Sequence, residues 1–487
     1  MSKPSLYNGW DHGLSFFTSR MEQSDLDFFS AWCDQTAEVI ASTPDEATFT
    51  SCLYSISVPG KPTFVPLASL AFLVSCYPAR VPVLKIISRF NDFWIALPES
   101  IKAGHDGATA TILEESLRQI TVDLDIPSLF SNSEAPALVD PTTKRTISHQ
   151  KLSSFIKHFS LPLHPRESRT KPVISLALPN GYLLGLACVA VASYYTAAPI
   201  NIAGGAAQFR NDVNLAGPQC ILVLHSDVEK LGLDQPWVLE AKIQVLIVAL
   251  EPQMTFSVQP LIGARSNSRT PNSRPQPNLS KDFALILFTS GTSGAKKVVP
   301  TTVFGLLLGV TCVIDSWGLT PQDSCINMMP LNHVGGLIRN LFAPLLSGGS
   351  SILCPAFDPN LFWDITQSQG TWYYASPSMH MSILSETNHL LGDVSKTKLR
   401  LVCNAAGALL PALASRLRDV FGCTVLPSYG MTEVCKFPVN PIFSSPCPSN
   451  FTSHIDCLET TEILRMGVTS RVGRTFLKKS NTKYEKL

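Results

Sequence analysis

Net charge is almost missing from this chain: 38 Lys and Arg stand against 37 Asp and Glu, a formal +1 at pH 7. No field of one sign therefore points to nucleic acid or to an anionic membrane as a partner. Metal-ligand spacing is missing too. The 13 cysteines lie scattered, with no CxxC pair and no His/Cys cluster at zinc spacing. Reduced thiols in a cytoplasmic protein are the expectation. The N-terminal MSKPSLYNGWDHG is polar and lacks the apolar core of a signal peptide. Long apolar runs are scarce. Phe64 to Tyr77 is too short to cross a bilayer. Tyr182 to Pro199 approaches that length but carries Ser193, Tyr194, Tyr195 and Thr196, and a buried helix of a large α/β domain accounts for it. No membrane span is expected.

What is present reads as a globular enzyme. Hydrophobic residues make up 45% and charged residues 15%, and 487 residues suffice for more than one domain or subdomain. Residues 1–120 carry no motif; Asp25 to Ser42 reads as a helix, and Pro82 to Phe93 as a strand followed by a turn. From about Ile126 a rhythm sets in. Glu134 to Phe159 predicts a strand, a turn at Asp140–Pro141, a second strand and a helix from Ser148. Val173 to Leu178 reads as a strand ending at Pro179–Asn180–Gly181, with a long apolar helix from Tyr182 and the next turn at Pro199 to Gly205. Cys220 to His225 and Ile243 to Leu250 are further apolar runs. Strands alternating with helices predict an α/β fold, its largely parallel sheet covered by helices on both faces. Ala264 to Lys281, rich in Ser, Pro, Asn and Arg, reads as an exposed linker.

The linker delivers the chain into its most informative stretch, Phe283 to Thr302. Phe283 to Phe288 has the composition of a buried strand. Thr289, Ser290, Gly291, Thr292, Ser293 and Gly294 follow without a break, and then Lys296 and Lys297. Glycines let backbone N–H groups approach an anion, hydroxyls add donors, and the lysines add charge. This is either an ordinary polar turn or a polyphosphate loop. It is not a Walker A loop: five residues on from Gly291 stands Lys296 where that motif needs glycine.

Downstream, Met328 to Leu337 reads MMPLNHVGGL, with His333 either in a helix-capping turn or in a site. Trp372 to His380, WYYASPSMH, is either core or pocket wall. Leu399 to Leu410 reads as a strand entering a small-residue loop, Ala405–Ala406–Gly407, followed by a helix from Pro411; SYGMTE, Ser428 to Glu433, comes next.

TSGTSGxxK, PLxHxxG, the small-residue loop and YGxTE, in this order, resemble the signatures of the adenylate-forming (AMP-binding) superfamily. That group comprises acyl- and aryl-CoA synthetases, luciferases and the adenylation domains of peptide synthetases. The resemblance covers roughly Ile126 to Glu433. Lys297 falls on the motif lysine; Lys296 stands where the superfamily usually has proline, and Val298 where it usually has glycine. The resemblance implies the superfamily's large N-terminal domain, parallel sheets flanked by helices in αβαβα layers, over residues 121–434. It implies ATP on Thr289 to Gly294 and Lys297, with adenine packed against Ala405, Ala406 and Gly407. It further implies Tyr429 stacking on adenine, with Gly430 in the same motif, Thr432 at the α-phosphate and Glu433 on Mg²⁺. His333 would lie beside the activated carboxyl group, which makes Lys297, His333, Thr432 and Glu433 the catalytic candidates.

The implied reaction is ATP-dependent activation of a carboxylic acid to an acyl-adenylate. Thioester formation with coenzyme A or a phosphopantetheine thiol, with a carrier protein as one conceivable partner, would follow. Amino-acid-activating domains of the superfamily place an aspartate in the segment that here reads PLNHVGG. No acid occurs between Pro330 and Phe357, so an acyl, aryl or polyketide-type acid is expected. The motifs also resemble fungal acyl-CoA-synthetase-like and peptide-synthetase-like proteins of secondary metabolism. Residues 435–487 lose the strand–helix rhythm and end in a basic tail. The superfamily's GEL and TGD motifs and its small C-terminal domain, with its lysine, are not found. The alternative expectation is accordingly a truncated, catalytically incompetent nucleotide-binding protein or scaffold, and a chain that alone does not complete thioester formation.

Overall fold

The structure is a computed structural model. It describes residues 125–428 apart from 165–169, 262–273, 291–295 and 387–396, together with segments 17–19, 21–43, 46–56 and 64–76 and residues Leu14, Arg89 and Phe93. The chain divides into two compact units, one from Met1–Leu124 with Pro448–Leu487, the other from Asp125–Cys447.

In the first unit, helices α1 (Gln23–Ser42), α2 (Glu46–Ser55) and α3 (Val65–Cys76) are described. Phe29 and Trp32 of α1 set their edges against Phe72 of α3. The apolar run from Phe64 is therefore a buried helix among helices. Of the Pro82–Phe93 stretch only Arg89 and Phe93 are described, and both are helical rather than extended.

The second unit opens as its sequence predicts. Strands β1 (Pro136–Asp140) and β2 (Arg145–Ser148) pair antiparallel across a turn in which Asp140 Oδ1 accepts from the Thr142 N–H at 3.0 Å. Ser148 caps α4 (His149–Lys157) by accepting from the Lys151 N–H. Then β3 (Val173–Ala177) runs into α5 (Tyr182–Tyr194). The apolar run from Tyr182 is not one helix to its end: it stops at Tyr194, and Thr196–Pro199 forms strand β4. Cross-strand pairing with β3 and β8 decides this, since Thr196 to Pro199 can hydrogen-bond to the sheet only when extended.

After α6 (Gly205–Ala216) come β5 (Cys220–Val223), β6 (Gln244–Leu250), β7 (Phe256–Pro260), β8 (Phe283–Ser290), β9 (Lys296–Thr302) and α7 (Val303–Trp317). The rest comprises β10 (Ser324–Asn327), a π-helix (Gly335–Phe342), β11 (Ser350–Leu353), α8 (Pro359–Ser368), β12 (Trp372–Ala375), α9 (Pro377–Ser385), β13 (Leu401–Asn404), α10 (Pro411–Phe421) and β14 (Thr424–Pro427).

These strands make two seven-stranded sheets, ordered β14-β13-β12-β10-β11-β1-β2 and β7-β6-β5-β3-β4-β8-β9. All pairings are parallel except three antiparallel pairs at the edges: β1 with β2, β6 with β7 and β8 with β9. Helix α5 touches β1 and β11 of the first sheet and β3, β4 and β8 of the second, so it lies between them. Its all-apolar circumference follows from that position. A Cβ on Gly185 would come 2.5 Å from the Leu353 side chain, so glycine lets α5 lie flat on β11. Outer helices α8, α9 and α10 close a core on the far face of the first sheet around Phe362, Trp363, Tyr373 and Phe421. Phe209, Val213 and Trp237 do the same on the second. The result is the expected α/β layering, helices outside and between two parallel-rich sheets.

The expected linker needs correction at its end. Residues 262–273 lie outside the described residues, but Asn278 is fully buried, its side-chain amide donating to the carbonyls of Ala192 and Tyr195 at 2.9 and 2.7 Å. Asn278 thus serves the carbonyls freed where α5 gives way to β4.

Candidate functional site

Strands β8 and β9 form a hairpin stem in which Thr289 faces Lys297 and Ser290 faces Lys296. Gly291, Thr292, Ser293 and Gly294, between these strands, lie outside the described residues. Side chains alternate along a strand, so neighbouring Lys296 and Lys297 leave opposite faces of the stem. Lys296 is engaged: its Nζ reaches both carboxylate oxygens of Asp212, at 2.7 Å each. Asp212 is a buried residue of α6 and also accepts from the Gln208 side-chain amide at 2.9 Å. Lys297 is exposed and makes no hydrogen bond or ion pair among the described residues. The stem therefore presents one free ammonium, on the lysine that the motif designates.

The PLNHVGG segment crosses from β10 into the π-helix. Asn180, in the turn before α5, stitches it down: its Oδ1 accepts from the Leu331 N–H at 2.9 Å, and its amide donates to the Cys354 carbonyl at 3.1 Å. The sequence marks Pro179–Asn180–Gly181 as the end of a strand and gives no sign of this bridging role for Asn180. His333 closes the turn, its N–H donating to the Pro330 carbonyl at 3.1 Å and its carbonyl accepting from Leu337 at 3.0 Å. The capping geometry is thus present. The imidazole makes no side-chain hydrogen bond among the described residues. The residue stays accessible, yet neighbouring atoms partly desolvate the ring and the Lys296 ammonium acts on it, and together they hold its pKa below the ordinary histidine value. A neutral imidazole at pH 7 follows.

The third part is the small-residue loop after β13. The Ala405 N–H donates to the Ala375 carbonyl at 2.7 Å, and the Asn404 side-chain amide donates to the Gly407 carbonyl at 2.6 Å. Ala406 is held in the left-handed region at φ 56. Ala405 is buried, while Ala406 and Gly407 are exposed and offer backbone with almost no side chain above it. A flat ring can approach such a surface. Ser428, at the end of β14, donates from Oγ to the Asn404 carbonyl at 2.7 Å and ties that strand to the base of the loop. Tyr429, Gly430, Thr432 and Glu433 lie outside the described residues.

Trp372, Tyr373 and Tyr374 are buried. Tyr373 belongs to the outer core, its hydroxyl 3.1 Å from His380 Nδ1, while Tyr374 faces the inner layer beneath Gly335. The WYYASPSMH aromatics are thus mainly packing. Among the described residues no three His, Cys, Asp or Glu side chains gather as a metal site, and no helix is long and apolar enough to cross a membrane. The described cysteines of the second unit are free thiols, and burial pushes Cys354 up to about 12, which leaves it un-ionised.

The model of the family described as AMP-binding enzyme matches residues 130–453. The chain is 31% identical over 298 residues to an oxalate–CoA ligase of Arabidopsis thaliana, covering 60% of this chain and 56% of that protein. It is 29% identical over 287 residues to a sulfoacetate–CoA ligase of Cupriavidus necator, covering 56% and 51%. Among solved structures, ATP-bound MatB from Rhodopseudomonas palustris superposes with a TM-score of 0.51 at 21% identity, over 63% of this chain and 59% of that one. That likeness establishes the fold. The chain spans about half the length of the curated relatives it matches.

Proposed function

Because the chain belongs to the AMP-binding enzyme family, we propose that it uses ATP to activate a carboxylic acid as an acyl-adenylate and passes the acyl group to a thiol, coenzyme A in the first instance. One observation supports the reading: the β8–β9 stem leaves Lys297, the lysine of the motif, exposed and without a side-chain partner among the described residues, while Lys296 on the other face is locked to Asp212.

In the proposed first step a carboxylate oxygen attacks the α-phosphorus, the bond from that phosphorus to the β-bridging oxygen breaks, and pyrophosphate leaves. Lys297, the Thr289 and Ser290 hydroxyls and the loop amides would hold the triphosphate and neutralise its oxygens. Ala405, Ala406 and Gly407 would seat the adenine, with Tyr429 and Thr432 completing the nucleotide site. His333, neutral and unpartnered, can donate a hydrogen bond to the carboxylate and orient it. Mg²⁺, with Glu433 as its proposed protein ligand, would spread phosphate charge, a task suited to a hard cation on carboxylate and phosphate oxygens. In the second step a thiol sulfur attacks the acyl carbon and AMP departs.

An acid without an α-ammonium group is favoured, since no carboxylate between Pro330 and Phe357 could pair with one. The relatives named above are ligases for small acids, and the motif style fits a role in secondary metabolism. The test incubates the full chain with ATP, Mg²⁺ and a panel of carboxylic and α-amino acids, trapping acyl-adenylate with hydroxylamine. Hydroxamates from non-amino acids support the reading. Failure of the chain to bind ATP, or a best response to α-amino acids, overturns it.

A further inference from the structure

Resting on that reading, we propose that the acid activated here carries a second anionic group, and that Arg339 binds it.

Arg339 lies on the π-helix that begins two residues after His333, and it is 4% exposed. Its Nη1 donates to the Tyr374 hydroxyl, and its guanidinium carbon stands 5.2 Å from the centre of the Tyr374 ring. No other hydrogen bond or ion pair to Arg339 exists among the described residues, so no carboxylate there offsets its charge. The contrast with Arg400 is instructive. That residue is half-exposed, yet it binds Asp323 through Nε and Nη2 at 2.6 and 2.7 Å.

A buried cation without a counter-ion opposes folding unless something else compensates it. The location of Arg339 says what that is. It is the only Lys, Arg, Asp or Glu between Pro330 and Phe357. Its bonding partner Tyr374 is on β12, which pairs with β13, the strand leading to the Ala405 loop, and its charge acts on the Cys403 thiol of that strand. Arg339 thus belongs to the helix that follows the His333 turn and bonds to the strand that neighbours the one feeding the Ala405 loop. π-Helical segments recur at functional sites because the wider turn re-aims side chains. A guanidinium fork matches a carboxylate or sulfonate face, and with Nη1 on Tyr374 its remaining N–H groups are free to donate.

The experiment titrates succinate, glutarate, 3-sulfopropanoate and butanoate calorimetrically into the full chain holding a non-hydrolysable ATP analogue. The two-anion acids are expected to bind about tenfold or more tightly than butanoate. Carboxylate and sulfonate arms show which second anion is preferred. Arg339→Met should bring the two-anion acids down to the butanoate level, and Arg339→Lys should restore part of the difference. Thermal unfolding without acid separates binding from packing: Arg339→Met should melt no lower than the wild-type chain, since it removes an uncompensated charge. Butanoate binding as well as the two-anion acids, or a Met variant that melts well below wild type, overturns the inference and leaves the proposed function standing. Absence of ATP-analogue binding, or of binding by any acid, strikes the proposed function itself and the inference with it.

Discussion

The Ala405–Gly407 loop and the β8–β9 stem are held in different ways. The Ala405–Gly407 loop is clamped: its own backbone, Asn404 and Ser428 hold it by hydrogen bonds of 2.6 to 2.7 Å, and β12 and β14 flank the strand that feeds it. The β8–β9 stem is an edge hairpin with an exposed lysine, Lys297, beside one anchored by an ion pair, Lys296 on Asp212. A rigid aromatic ring is best met by a surface formed in advance, because binding then orders nothing further. A charged, flexible polyphosphate can be met by long cations on a stem. Under the proposed function this contrast would divide the labour between a fixed seat and a charged arm.

The largest effect is expected at the turn bearing His333. A Cβ on Gly336 would lie 2.4 Å from the Pro330 carbonyl oxygen and 2.8 Å from that of Met329, and backbone cannot move aside as a side chain can. Gly336→Ala should destabilise by about 3 kcal/mol or more in urea unfolding. Gly335→Ala, whose Cβ would meet the Tyr374 ring at 2.8 Å, should cost less, since a side chain can yield. A loss below about 1 kcal/mol for Gly336→Ala would mean that the turn is not tightly held.

The floor of the clamped loop should also respond to pH. His380 of α9 is fully buried against Tyr373, and burial lowers its pKa to about 4. A histidine with a folded pKa below its unfolded one favours the native state only while neutral. Its contribution is complete above about pH 6.5 and declines as pH falls towards the folded value, reaching roughly 3 kcal/mol lost near pH 4. His380→Gln should flatten the stability profile between about pH 6.5 and 4. An unchanged slope would show that His380 is already protonated in the fold.

On the open side, replacing Thr289, Ser290 and Lys297 together with alanine should weaken ATP by at least about 1.5 kcal/mol, more than tenfold in Kd. Thermal unfolding is read alongside: Lys297 has no side-chain partner among the described residues, whereas Thr289 has interactions of its own. Unchanged ATP affinity in a folded triple variant would remove the arm from the comparison.

Much of this was legible because the determinants are local. The β1–β2 turn and the Ser148 cap lie within a few residues of what they terminate, and Val173 to Leu178 is a strand with its breaker attached. The ordered motifs pointed to the layered fold that the structure shows. The end of α5 was not legible, because an apolar run buried on every side looks the same as helix or strand, and only pairing with β3 and β8 decides. Asn278 read as linker, since its partners are 83 and 86 residues away. Asp212 met Lys296 across 84 residues of sequence, and nothing near either residue announced the other. Arg339 drew no notice in the sequence, because a missing counter-ion is a property of the folded interior alone.

The smallest effect sharpens the comparison most. Ala406 sits at φ 56, a conformation that costs a residue with a Cβ about 1–2 kcal/mol. The loop nevertheless keeps it, because Ala405 is tied to Ala375 and Gly407 to Asn404, and relaxing Ala406 would break those bonds. Glycine adopts the same backbone freely, but its unfolded chain has more freedom to lose, worth about 0.5–1 kcal/mol. Ala406→Gly should therefore stabilise by a few tenths of a kcal/mol up to about 1, read from the urea midpoint at constant slope. A clamped seat predicts that ATP affinity moves by less than about twofold, because backbone alone meets the ring and the backbone is unchanged. If the variant is instead less stable and binds ATP several-fold more weakly, the clamp is not what shapes the loop, and its small residues serve mobility.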